Sequence, residues 1–456
     1  MTGKSTISET LADWIVGFDS AKVPSKALAG CADTIMDTMA LTVAALDTDY
    51  GQSVQQAFDD AGQATVWGLP QGRSPEAAAV INGTCGHGED YDNTFEGCPV
   101  HSGVVIVPAL LAAAEKYNLP AADVSRGIVV GIEVMCRLGL VADKAVHKAG
   151  FHPTAVLGAM SAAAGVSAAL WLNRAAICNA LGVAGSMASG IIEYLADGTS
   201  TKRLHAGWAA QSGLRAAAMG AAGFTGPSTV FEGEHGFFHG FSSPRATDFA
   251  PLVEDLGLRW EAERLAFKPF ACGTMTQPFV DCAIALARQG IRAEDVVSIS
   301  CDVGEGTVHR LWAPLAQKQA PPTPYAAKFS GPYCIAAGWV FGDAGLAQFT
   351  KAALDDARVQ ELAGKITYKV DPHNEYPANY TGHIAATLRD GTIQEMRVGC
   401  LRGGAKDPLT REALLAKCRA NLLFAGRAPE GADRLARFGD DVMAGRGTVD
   451  VKSLNL

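Results

Sequence analysis

The chain has 456 residues, too many for one ordinary hydrophobic core, so two domains are expected. Apolar residues make up 48% and charged ones 19%, and the net charge of −9 comes with no run of like charges, which argues against a nucleic-acid partner. An anionic substrate would have to be gathered by a local basic pocket, because the overall field repels it.

The eleven cysteines are scattered, odd in number and free of C-x-x-C pairs, which fits reduced thiols in a cytoplasmic setting. The N-terminal MTGKSTISETLADW lacks the continuous apolar segment of a signal peptide. In residues 5–18, Leu11, Trp14, Ile15 and Phe18 recur at helical spacing. Pro24 opens a second helix through IMDTMALTVAAL, and GQATVWG is long enough for a small hairpin only. Ser74-Pro75-Glu76 supplies an N-cap, a proline at the first helical position and an acid in the first turn, which predicts a helix to about Cys85.

That helix delivers the chain into residues 86–103, GHGEDYDNTFEGCPVHSG. Here His87 and His101 bracket Glu89, Asp90, Asp92 and Glu96, with Thr94 among them. So many proton-handling groups are costly near a core unless each finds a partner. The His-Ser-Gly step runs straight into the apolar VVIVPALLAAA, so the stretch reads as one wall of an active site and not as a surface loop. As a calcium loop it fails, with Phe95 in the position of the turn glycine and His101 in that of the bidentate glutamate. A metal site from His87 and Asp90 lacks a clear third ligand, so none is expected.

Helices are predicted over residues 99–117, 121–141, 153–172, 175–194 and 203–223, mostly apolar all round as in the centre of a bundle. Residues 149–173 contain no Asp, Glu, Lys or Arg and are long enough to cross a bilayer. Their Ala, Gly and Ser content, with no flanking cluster of positive charge, reads instead as a fully buried helix, with no membrane partner. Near Lys268 the texture changes. Strands are predicted at 296–303, 366–371 and in a hairpin over 382–400 with a type I′ turn at Asp390-Gly391, accompanied by helices at about 274–289, 326–341 and 350–362. Two amphipathic helices follow after Cys400. The fold class is therefore mainly α. A large helical bundle domain (1–267 and 401–456) is interrupted by a smaller α+β domain (268–400) with a mostly antiparallel sheet.

Three further segments carry chemistry. Gly150-Phe151-His152-Pro153-Thr154 places a histidine at a helix start, where backbone N–H groups favour an anion. Asp197 to His205, DGTSTKRLH, sets Lys202 and Arg203 at a helix N-terminus, a position that disfavours cations unless an anion joins them, so it resembles a carboxylate receptor. KPFACGTMTQP (268–278) has the polar content of a pocket rim, and Tyr333 enters an apolar helix, where tyrosine usually packs. Dinucleotide, Walker, nucleophile-elbow and zinc-protease motifs are absent.

HGEDYDNT with its following PVHSG, GFHPT, DGTSTKRLHAGWAA, FTGPSTVFEG, KPFACGTMTQPFVDCA and FSGPYCIAAG together resemble the MmgE/PrpD family, in its order and over most of the chain. The resemblance implies a discontinuous helical domain plus an α+β domain with the site between them, a homodimer, and action on small polycarboxylates without a cofactor. In the family's decarboxylase branch the pocket residues correspond here to Asp90, Thr94, His101, His152, Lys202 and Tyr333. Gln277 departs from that pattern by standing where a histidine is expected. Glutamine cannot exchange a proton at neutral pH, which turns the reading toward the epimerase branch.

The expected reaction is thus proton abstraction next to a carboxylate, as in epimerising an iminodisuccinate-like substrate. A lyase of the same family and a non-catalytic polycarboxylate-binding protein are the alternatives. In this reading one of Lys202, His101 and Tyr333 removes the proton and another returns it from the opposite face. Asp90 orients His101 or Lys202. Lys202, Arg203, His152 and Lys268 hold the developing charge, with Thr94 and Gln277 binding substrate.

Overall fold

The apolar stretch that opens at Pro153 forms the helix Pro153–Ala169, and every one of its residues is buried. The computed structural model describes residues 5–456. The chain divides into two units, one of residues up to 88, 92–266 and 414–456, the other of residues 89–91 and 267–413. The return to the first unit falls inside the helix Arg411–Phe424, later than the expected 401.

In the first unit, Pro153–Ala169 packs against Ala121–Ala142 and Thr201–Ala221, and the last of these against Pro75–Gly88. This last contact is made backbone to backbone. A Cβ added to Gly83 would lie 2.6 Å from the Gly207 Cα, and one added to Gly207 would lie 2.1 Å from the Val80 carbonyl oxygen. Only glycine fits at either position. The contact sits one turn from His87 on one helix and from Arg203 on the other, so it sets the distance between two segments singled out above.

Several boundaries moved for local reasons. Ser74 caps the Ala77 N–H as expected, but the helix runs on to Gly88 and carries His87 in its last turn. The next helix starts at Gly103, not at 99. The predicted 175–194 helix ends at Met187, because Ala188 turns extended and Gly190 takes a positive φ of 131°. A single turn, Tyr194–Asp197, follows. Among the described residues one helix, Ser25–Ala45, is long and apolar enough to cross a membrane by length and composition, and most of it is buried.

The first unit also holds a buried charge pair. The Arg137 Nε donates to Glu133 Oε1, and its two terminal nitrogens donate to the carbonyls of Pro251, Glu254, Asp255 and Arg259. Glu133 accepts from the Glu261 and Ala262 N–H groups in turn.

The second unit is built on a four-stranded sheet in the order Ile366–Val370, Val296–Val303, Gly382–Leu388, Ile393–Val398. Its first pairing is parallel and the other two antiparallel. The hairpin turn differs from the expected type I′. Of Asp390 and Gly391 only Gly391 has a positive φ, and Gly391 N–H bonds the Leu388 carbonyl while Leu388 N–H bonds that of Thr392. This is a three-residue loop closed by a glycine bulge. The helices Gln277–Arg288 and Gly331–Phe341 pack on each other beside this sheet.

Candidate active site

Four histidines and one aspartate come together inside the first unit. Thr94-Phe95 pairs with Leu265-Ala266, and Asn93 Oδ1 accepts the Gly103 N–H, so the loop after His87 is pinned at both ends. The pinning turns Asp92 inward. Its Oδ2 lies 2.9 Å from His87 Nδ1 and 3.1 Å from His101 Nδ1. His101 Nδ1 also lies 3.0 Å from the Asn93 carbonyl oxygen, and the His101 N–H bonds Thr154 Oγ1 at the start of the helix Pro153–Ala169.

These contacts settle the tautomers. Both Nδ1 atoms face only oxygen acceptors, so both carry hydrogen, and in the neutral ring Nε2 is the basic nitrogen. His87 Nε2 and Asp92 Oδ1 are buried without a hydrogen-bond partner. His101 differs in that about 10% of its side chain reaches solvent. It is the imidazole of this trio with an open face and a fixed orientation.

A second pair adjoins the trio. His152 Nδ1 lies 3.1 Å from His205 Nδ1. The His152 ring stacks on His87 at 5.6 Å, His87 lies 4.9 Å from His101, and Tyr194 stands edge-on to both His152 and His205. The backbone sets the pair in place through His152 N–H to the Gly190 carbonyl and Ile192 N–H to that of Gly150.

Burial governs the charge states. It pushes His87 down to about 4 against the pull of Asp92, with Lys202 and His101 adding to the depression. Burial, then His87 and Lys202, lowers His205 to about 4, and burial with His87 and Lys202 holds His152 well below its usual value. Burial opposes the charge on Asp92, but His101 and His87 outweigh it and hold the carboxyl well below its ordinary range. The result is one carboxylate near three neutral imidazoles, His87, His152 and His205, which all feel the charge of the half-buried Lys202.

The expected residues divide between the two units. His101, His152 and Lys202 belong to the cluster just described. Arg203 is largely committed elsewhere, donating to the Gly88 carbonyl and Ser200 Oγ while its guanidinium lies over the Tyr50 ring at 4.4 Å. Thr94 donates to the Val100 carbonyl and closes the loop. Asp90 belongs with the second unit, where it pairs with the buried Lys268 at 3.0 Å; Lys268 also donates to the Asp90 carbonyl. The carboxylate that orients His101 is therefore Asp92 and not Asp90, because the backbone at Asp90, with φ of 56°, carries that side chain to Lys268. Glu89 pairs in the same way with Lys328.

Gln277 is buried in the second unit. Its amide nitrogen donates to the carbonyls of Phe270 and Cys272, and its Oε1 has no partner. Tyr333 donates its hydroxyl to the Gln348 carbonyl, and burial raises its phenol, followed by the influence of Cys334 and Asp356. A phenol held in this way is a poor base.

Asp92, Asn93, Thr154 and His205 lay outside the expected site. His205 was within reach of the sequence, being three residues beyond Lys202 on one helix and so on the same face. Nothing in the sequence distinguishes Asp92 from three neighbouring acids. His87, Asp92 and His101 also bring three ligand-type atoms within 4.8 Å, a two-histidine, one-carboxylate set of the kind that holds a transition metal. A metal bound through the two Nδ1 atoms would displace both of their hydrogens.

Comparison with known families matches the MmgE/PrpD N-terminal domain over residues 9–250 and the MmgE/PrpD C-terminal domain over residues 270–436. A cis-aconitate decarboxylase from Homo sapiens is 29% identical, covering 91% of this chain and 88% of its own length. A cis-aconitate decarboxylase-like protein, oryM, from Aspergillus oryzae is 25% identical over 99% and 97%. A cis-aconitate decarboxylase from Aspergillus terreus is 25% identical over 91% and 89%.

Proposed function

This chain belongs to the MmgE/PrpD family, and on that premise we propose that it is a lyase of a small polycarboxylate of the cis-aconitate type, acting by proton transfer at a carbon next to a carboxylate. The observation that carries the reading is His101. Its Nδ1–H is held between Asp92 and the Asn93 carbonyl, its side chain reaches solvent, and its free nitrogen can exchange a proton. A base needs that orientation before it needs a tuned pKa.

In a decarboxylation, the carbon–carbon bond to one carboxylate breaks and carbon dioxide leaves with the carboxyl carbon. The electron pair stays on the substrate, delocalised toward a remaining carboxylate, and a proton is delivered to carbon. His101, in its protonated form, is the proposed donor. Lys202 and an N–H of His152 offset the charge that develops. Asp92 keeps the His101 imidazolium oriented and charged until its proton passes to carbon. We also infer a homodimer, supported by the exposed apolar side chains Trp208, Met219 and Phe224 at and just beyond the helix Thr201–Ala221.

Epimerisation of an iminodisuccinate-like substrate is the second reading, and the observation favouring it is Gln277. It has no proton to exchange, and its amide nitrogen is tied to two carbonyls, so any lyase step requiring a histidine there is missing its acid. Proton NMR in deuterated water separates the two. With cis-aconitate, a lyase releases carbon dioxide and gives a product carrying one deuterium at the protonated carbon. An epimerase leaves cis-aconitate untouched and exchanges the α-proton of an amino- or imino-dicarboxylate without carbon dioxide. Neither reaction across a panel of di- and tricarboxylates, with binding retained, means a binding protein.

A further inference from the structure

The two Nδ1 atoms of His152 and His205 face each other at 3.1 Å, and this contact has a consequence for ligand binding. Two bare nitrogens cannot bond, and two N–H groups repel. One hydrogen therefore lies between them, and each ring's tautomer dictates the other's. If His205 donates, His152 accepts at Nδ1 and carries its hydrogen on Nε2. If His152 donates, its Nε2 is a bare lone pair.

The surroundings keep both rings neutral, so the shared hydrogen is not supplemented by a second one. Burial comes first, and His87 and Lys202 then act against protonation of either ring. Among the described residues neither Nε2 has a hydrogen-bond partner. His152 also caps the helix Pro153–Ala169, whose first backbone N–H groups favour an anion. An anion arriving there gains from an N–H at His152 Nε2 and is opposed by a lone pair.

We propose that His205 is a positioning residue, donating from Nδ1 to His152 Nδ1 so that His152 turns an Nε2–H toward a carboxylate of the substrate. This rests on the polycarboxylate reading above and adds how that carboxylate is recognised. Substrate binding and the position of one hydrogen in the pair are then linked.

The test uses nitrogen-15 NMR of histidine-labelled full-length protein, free and saturated with citrate as the probe. The free protein is expected to show one hydrogen shared between the two Nδ1 atoms. With citrate, His152 Nδ1 settles as a hydrogen-free nitrogen and its Nε2 as N–H. Three substitutions grade the effect. His205→Asn can still donate, and citrate affinity stays within about threefold. His205→Ala loses the bias and weakens it, and His205→Asp, an acceptor only, weakens it by about tenfold or more, the scale of one charge-assisted hydrogen bond. A structural role would harm all three alike.

The proposal is overturned if His152 keeps hydrogen on Nδ1 with citrate bound, or if His205→Asp binds as well as His205→Asn. The wild-type spectra decide the matter even where a variant does not fold. Absence of any citrate response overturns the substrate reading and this proposal with it, while the free spectrum still reports the shared hydrogen.

Discussion

Arg137 and His101 stand in the same helical unit, each beside a buried carboxylate, and the two groups are satisfied in opposite ways. Arg137 spends all five guanidinium hydrogens on Glu133 and four carbonyls. Nothing is left over to meet a ligand, and the pair ties the helix Ala121–Ala142 to the 251–262 segment. The histidine cluster leaves His87 Nε2 and Asp92 Oδ1 buried without hydrogen-bond partners among the described residues. Buried polar atoms left unpaired cost stability, roughly 1–3 kcal/mol each. Such atoms call for an explanation, and in a cluster of imidazoles proton transfer supplies one. The difference separates a buried charge that builds the protein from one that works.

Substitutions test this division. The largest effect is expected from Arg137→Met, which strands Glu133 in the core and should remove about 3–5 kcal/mol of stability in urea unfolding. A loss below about 1 kcal/mol would mean that the pair is not structural. His101→Gln should invert the pattern, reducing turnover about 10²–10⁴-fold while stability changes by no more than about 1 kcal/mol. Asp92→Asn should lower turnover by about ten- to a hundredfold, since an amide no longer holds both imidazoles in one tautomer. If Asp90→Asn proves the more damaging of the two aspartate changes, the assignment of Asp92 as the orienting group fails.

The most gradual effect is expected in pH dependence. His87 and His205 sit near 4 in the folded chain and His152 well below its usual value, against about 6.5 when unfolded. Between those values the unfolded chain binds more protons, so stability rises with pH and is lost on acidification from about 6.5 toward 4. Each histidine contributes a slope of up to about 1.4 kcal/mol per pH unit. Urea unfolding at pH 7, 6 and 5 checks this, and a flat profile would mean that these rings take up protons in the folded state as readily as in the unfolded chain.

The outline of the fold was legible in the sequence, because apolar periodicity and the changed texture at Lys268 report on backbone geometry directly. Strands at 296–303 and 366–370 and the hairpin after Gly382 appear where alternation predicts them. The type I′ turn was misread because Asp-Gly is compatible with two loop lengths, and the surrounding register chose the longer. Within the site, His101, His152 and Lys202 could be located by residue type. The choice between Asp90 and Asp92 could not, since it turns on the positive φ at Asp90, a tertiary outcome with no local signal. His87 was visible as a residue, but its role awaited the discovery that the helix continues through it.

At Gly83 and Gly207 backbone meets backbone between the two helices that carry His87 and Lys202. Their spacing is consequently as inelastic as the polypeptide itself. Random drift in the packing layer, which would ordinarily nudge neighbouring helices apart by fractions of an ångström, has no purchase there. New specificities in such a scaffold must arise from interchangeable groups around the imidazoles, while the frame that holds them apart stays constant.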